Sequence, residues 1–177
     1  MKNKTLTALL VTAAVMVAAC GSQPVIPRTA TSTPSPAGII TEFPIPTANS
    51  SSFGITAGPD GNLWFTECVF SSSGCTKSQI GRSTPTGQFT EFPLPNPNSF
   101  SGGITAGPDG NLWFTECVSS SSGCTKSQIG RITPTGQFTE FPLPNPNSNP
   151  SSITRGPDGN LWFTEAAGRI GRITSGK

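Results

Sequence analysis

Nine carboxylates are the groups in this sequence best suited to proton transfer or cation binding, and they occupy three repeated settings. Glu42, Glu91 and Glu140 stand in TEFP, Asp60, Asp109 and Asp158 in PDG, and Glu67, Glu116 and Glu165 in FTE. A carboxylate can take up a proton, donate one where burial keeps it neutral, or help hold a cation. Histidine, the usual partner in such work near neutral pH, is absent from the chain. A catalytic centre is one special place, whereas a residue written three times in one motif serves every copy of an element alike. The aspartates therefore read as turn formers whose side chains accept nearby backbone N–H groups. The FTE glutamates read first as strand-end partners. As a weaker alternative, Glu67, Glu116 and Glu165 form a ring of carboxylates that binds a cation. No residue is assigned a catalytic role and no metal site is assigned outright.

Four cysteines form two pairs, Cys68 and Cys75 in CVFSSSGC and Cys117 and Cys124 in CVSSSSGC. In an exported chain each pair is expected to close as a local disulfide inside one hairpin loop. The rival is one zinc held by all four thiolates, which requires two separate loops to converge. The serine-rich loops between the cysteines read as surface decoration, where a binding protein carries specificity. Trp64, Trp113 and Trp162 could stack on a ligand, but their identical place in each repeat favours packing between repeats. Arg82, Arg131 and Arg172, in IGR, read as solvated or paired with neighbouring acids.

These residues are positioned by a repeat. The three tryptophans are spaced by 49 residues, and the third copy lacks an eight-residue insert, so the basic unit is 41 residues. A period near forty without helical patterning indicates a β array, and four short strands fit it. In the second copy these are GITAG (103–107), NLWFTE (111–116), QIGRIT (128–133) and GQFTEFPL (136–143). PDGN and PTG supply the turns. Leu112 and Phe114 point to one face and Trp113 to the other, so both faces are apolar and each sheet must be covered on both sides. The small first strand suits a crowded centre. The last strand, with Pro142, Pro144 and Pro146, suits an outer edge because proline cannot donate to a ladder.

Upstream, Lys2 and Lys4 precede an uncharged apolar run from Leu6 to Ala19, of signal-peptide length and too short to span a membrane. It ends in VAAC, which resembles the lipobox of bacterial lipoproteins. That resemblance implies lipidation at Cys20 and a lipid anchor in the cell envelope; simple cleavage near Ala19 is the alternative. Residues 1–19 are thus read as a signal, 20–37 as a Pro/Ser/Thr-rich tether and 38–177 as the repeat domain. Without Lys2 and Lys4, nine basic residues face nine acids, and no basic stripe suggests nucleic acid.

GPDGNLWFTE, IGRITPTGQFTEFPLP and the spacing between them resemble the virginiamycin B lyase, or streptogramin lyase, family over about residues 39–174. The resemblance implies an all-β fold of propeller blades, seven in the family and three here. It also implies, for the family's enzyme, a magnesium-assisted elimination that opens a cyclic streptogramin B antibiotic at its ester bond, using histidine with glutamate. Because this chain has no histidine, the expected function is binding or scaffolding at the envelope, for a small-molecule or protein ligand that the sequence does not name. The lyase-like enzyme, with magnesium as its cofactor, is the alternative, and a truncated gene product is a third reading. GIITEFPI (38–45) matches the outermost strand of a blade, whereas RIGRIT (169–174) has no outer strand after it. A homodimer in which each chain completes the other's third blade, giving a six-bladed ring, is therefore expected.

Overall fold

The computed structural model describes residues 38–176 except 73, 121–122 and 167, so Cys20, the leader and the tether lie outside the described residues. The chain divides into two units, Met1–Ile40 and Thr41–Lys177, and the second carries all the strands described below.

Each PDG turn reverses the chain because proline presets one dihedral and the glycine takes a left-handed one, φ 76° at Gly61 and at Gly110. The flanking β-formers then pair as antiparallel neighbours. β1 (Ser50–Ala57), β2 (Leu63–Ser71), β3 (Gly74–Ser83) and β4 (Phe89–Pro93) form the first sheet in chain order. β5 (Ser99–Ala106), β6 (Leu112–Ser120), β7 (Gly123–Ile132) and β8 (Phe138–Pro142) repeat it. β9 (Pro150–Arg155), β10 (Leu161–Glu165) and β11 (Arg169–Ile173) form a three-stranded third sheet. The proline-bearing β4 and β8 are sheet edges, as their composition requires.

The blades stack face on face. Trp64, Ile80 and Leu94 of the first sheet pack against Ile104, Leu112, Phe114 and Ile132 of the second. Trp113 and Ile129 of the second pack against Ile153, Leu161 and Phe163 of the third. Thus the Trp face of one blade always meets the Leu/Phe face of the next, which explains why both faces of NLWFTE are apolar.

Near the centre, a bulge in each first strand places two residues opposite one threonine, with register shifts between Ser52 and Ile55 and between Ser101 and Ile104. Thr115 Oγ1 accepts from the Gly103 amide (3.0 Å) and donates to the Ser151 carbonyl of the next blade (2.7 Å). Thr66 does the same between Gly54 (3.0 Å) and Gly102 (2.7 Å). This approach needs glycine, since a Cβ on Gly102 would lie 2.6 Å from the Ser151 carbonyl oxygen. Among the described residues Thr164 bonds only its own blade, accepting from Ser152 N at 3.1 Å. Thr115→Val should therefore lower stability by about 1 kcal/mol in urea titration, with a smaller loss for Thr164→Val.

Two expectations change. The inserts are not loops laid on the blade: the β2/β3 ladder continues through Cys68↔Ser78 and Val69↔Lys77 to Ser71↔Gly74, and β6/β7 matches it. Backbone N–H and C=O groups pair across the two-stranded ribbon, where a loop would leave them to water. Secondly, 41–45 is not a strand, although it repeats TEFP. A strand exists by pairing, and among the described residues no third strand of a blade lies beside it. Even so, Thr47 bonds Glu91 through N (3.2 Å) and Oγ1 (2.8 Å), much as Asn96 bonds Glu140 one blade later (3.1 Å).

Candidate functional site

The PDG aspartates do more than form turns. Asp109 Oδ1 accepts from the Asn111 amide (3.3 Å) and from Trp113 Nε1 (2.9 Å), and Oδ2 accepts from Asn111 Nδ2 (2.7 Å). Arg131, across the hairpin, reaches Oδ2 at 3.8 Å while its guanidinium lies 5.6 Å from the Trp113 ring centre. Trp113 in turn stacks on Phe141 with ring centres 5.2 Å apart. Burial alone would raise the Asp109 carboxyl, but the bonds from Asn111 and Trp113 outweigh it and hold the group below 3.8. The same set recurs at Asp60, Trp64 and Arg82 and at Asp158, Trp162 and Arg172. In the most open copy Asp158 falls to about 2, led by the Asn160 and Trp162 bonds. Trp64 and Trp113 are buried by packing, which leaves no face for a ligand. The arginines are paired. Sequence reading missed the Asp–Trp bond, although the four-residue spacing across a tight turn was its signal.

Glu67 and Glu116 are fully buried. Each accepts from a glutamine on the adjacent strand, Glu67 from Gln79 Nε2 (2.6 Å) and Glu116 from Gln128 Nε2 (2.8 Å). Burial pushes both carboxyls above 4.5, only partly offset by the amides and by Ser50 and Ser99, while Glu91 and Glu140 push the same way. Glu165 instead faces Arg169 at 3.0 Å, in the register position that Gln79 holds opposite Glu67. Each FTE glutamate is thus held by a partner in its own blade. Among the described residues, no three His, Cys, Asp or Glu side chains gather as a metal-holding group.

The cysteines are disulfides, Cys68–Cys75 and Cys117–Cys124, with Cα separations of 5.9 and 5.6 Å. They brace the two ribbons, and between the ribbons runs a cleft of about 280 Å³ lined by Phe70, Phe100, Cys75, Cys117, Cys124 and Asn149. Phe100 lies 4.8 Å from Phe53 and 6.3 Å from Phe70, and Phe53 and Phe70 are exposed. This aromatic group was missed in the sequence. Its signal lay in departures from the repeat, because Phe70 is the single difference between the two inserts.

The model of the virginiamycin B lyase family matches residues 29–177. The chain belongs to that family. Among solved structures, it resembles virginiamycin B lyase from Staphylococcus aureus, in a catalytically inactive form with one histidine replaced by alanine, solved with quinupristin. Identity is 36%, the match covers 78% of this chain and 57% of that one, and the TM-score is 0.50. A streptogramin B lyase structure matches at 28% identity over 77% of this chain and 59% of that one, with a TM-score of 0.40. The chain therefore spans less than two thirds of the lyases it matches. No curated protein sequence matches it. A magnesium ion, which the family resemblance implies, is not suited by the carboxylates of this virginiamycin B lyase relative. Glu67 and Glu116 each give one oxygen to a glutamine amide, and Glu165 is paired with Arg169. Among the described residues no three ligating side chains gather around any of them, whereas magnesium needs several oxygens at once.

Proposed function

We propose that this family member is a non-catalytic binding or scaffolding module of the cell envelope. The observation that carries the reading is the fate of the carboxylates in a chain without histidine: each FTE glutamate is tied to an amide or arginine of its own blade, and among the described residues they do not gather into one cluster. Elimination at an ester needs a base within reach of the substrate proton. The disulfide-braced ribbons with Phe53, Phe70 and Phe100 present a rigid, partly apolar face of the kind that binds ligands. An envelope location rests on the basic and apolar leader ending in VAAC.

A lyase-like activity is the second reading, favoured by family membership and by the raised Glu116 carboxyl, which stays protonated further toward neutral pH. The two separate in one assay. The full chain is incubated with quinupristin and magnesium, and chromatography resolves the cyclic compound from its ring-opened isomer. No linear product above the buffer rate is expected. Accumulation of linear product faster than in buffer overturns the binding reading.

A further inference from the structure

We infer that the outer edge of β11 receives residues 41–45 of a second copy of this chain, and that two copies close head to tail into a six-bladed ring. The two halves of the joint are already paired twice within one chain. In the first blade TEFP runs along β3 through Ile80↔Phe92, Gly81↔Glu91 and Arg82↔Thr90. In the second blade it runs along β7 through Ile129↔Phe141, Gly130↔Glu140 and Arg131↔Thr139. Both pairings carry the same side-chain tie, Arg82 Nη2 to Thr90 Oγ1 (3.3 Å) and Arg131 Nη2 to Thr139 Oγ1 (3.2 Å). β11 repeats that third strand as Arg169–Ile173, yet among the described residues only β10 pairs with it. Thr41-Glu42-Phe43-Pro44 repeats the fourth strand and, among the described residues, pairs with nothing as a ladder. The same register places Phe43 of one copy opposite Ile170 of the other, and Thr41 opposite Arg172. This is strand addition to a sheet edge, with affinity from backbone bonds and specificity from alternate side chains.

The segment is also already placed for it. Phe43 lies against Gly87, where a Cβ would come within 2.3 Å of its ring, as Phe92 lies against Gly136 at 2.7 Å one blade later. Residues 41–47 therefore sit against the first blade as the outer strand of a preceding blade would.

The end faces complement each other in the same sense. The first blade's Leu/Phe face, covered elsewhere by a Trp face, is open: Leu63 is 40% exposed where Leu112 and Leu161 are 0%, and Ile55 is 66% exposed where Ile104 is 6%. The third blade's Trp face is open too, with Ile170 at 71% where Ile80 and Ile129 are 0%. Joining the two reproduces the packing of Trp64 and Ile80 on Ile104 and Leu112. Such a contact is heterologous, and it closes into a ring only if the rotation per copy allows. The described residues of one copy form three blades, below the four or more of propeller rings, and two such sets give six.

The test uses the full chain in two tagged forms made together in one bacterium, one carrying Thr41→Cys and the other Arg172→Cys. A disulfide-linked species bearing both tags is expected, and detergent-corrected light scattering of the unsubstituted chain should give the mass of two copies. Ile55→Asp and Ile170→Asp alter exposed side chains, so each variant folds. Each should lower the dimer fraction at least tenfold alone, and mixing the two should restore a dimer, since one joint then has both native faces. A monomer or an open polymer for the unsubstituted chain, no cross-link between the tagged forms, or a dimer indifferent to both aspartates overturns the inference.

Discussion

Asp109→Ala is expected to lower the unfolding free energy by about 3 kcal/mol, because the change leaves a buried donor without its charged acceptor. Trp113 Nε1 loses its 2.9 Å bond at a site where the ring is packed out of water, and Arg131 loses the ion pair that holds it over the indole. Asp109→Asn keeps an acceptor for Trp113 and should lose about half as much. Asp158→Ala, in the open third blade, should cost less than Asp109→Ala because water can reach Trp162. Linkage gives a second readout. The folded Asp109 carboxyl lies below its unfolded value of 3.8, so its contribution is present above that pH and is lost as pH falls through the folded value. Urea titrations at pH 7 and pH 3 should therefore show a wide gap between the native chain and Asp109→Ala at pH 7 and a narrower one at pH 3. An equal gap at both pH values would show that the ionised carboxylate is not what holds the tryptophan.

Glu116→Gln is expected to act in the opposite direction, stabilising the fold by about 2 kcal/mol once pH exceeds the folded value of the Glu116 carboxyl. The folded carboxyl is raised above 4.5, first by burial and then by Glu140, against the help of Gln128, Ser99 and Lys126. A raised acid binds its proton more tightly in the folded state, so its contribution is full below the unfolded value and is lost as pH rises through the folded one. Once pH has risen through the folded value, the native chain holds a buried charge, and among the described residues Glu116 Oε1 and Gln128 Oε1 lack hydrogen-bond partners. An amide at 116 removes the charge and brings N–H donors among those acceptors. The gain over the native chain should grow as pH rises through the folded value and disappear below pH 4. Glu165→Gln serves as the contrast, since that carboxylate is paired with Arg169 and the amide loses the ion pair. A Glu116→Gln chain that stays less stable than the native one as pH rises would mean that the carboxylate has a favourable partner in solution, a bound cation being the obvious one.

What the sequence determined by itself was whatever depends on short spacing or on the repeat. The PDG turns, the two-faced NLWFTE strand, the proline-bearing outer edge and the cysteine pairs follow from residues within about a dozen positions of one another. Those physical preferences act before any neighbouring blade is present. Pairings fixed by strand register needed the structure, because a one-residue slip changes every partner. The Glu116–Gln128 bond, the Arg131–Asp109 tie and the continuation of the ladder through the inserts are of this kind. The bulge that lets Thr115 reach Ser151 in the next blade is another. Burial was decided only by tertiary structure. Leu63 and Leu112 lie in the same thirteen-residue sequence, yet one faces water and the other faces Trp64. TEFP is a strand at 90–93 and none at 41–44 for the same reason. Identical residues have identical local preferences, but whether a face is covered or a strand is paired belongs to the neighbour, and neighbours are set by the stacking of whole blades.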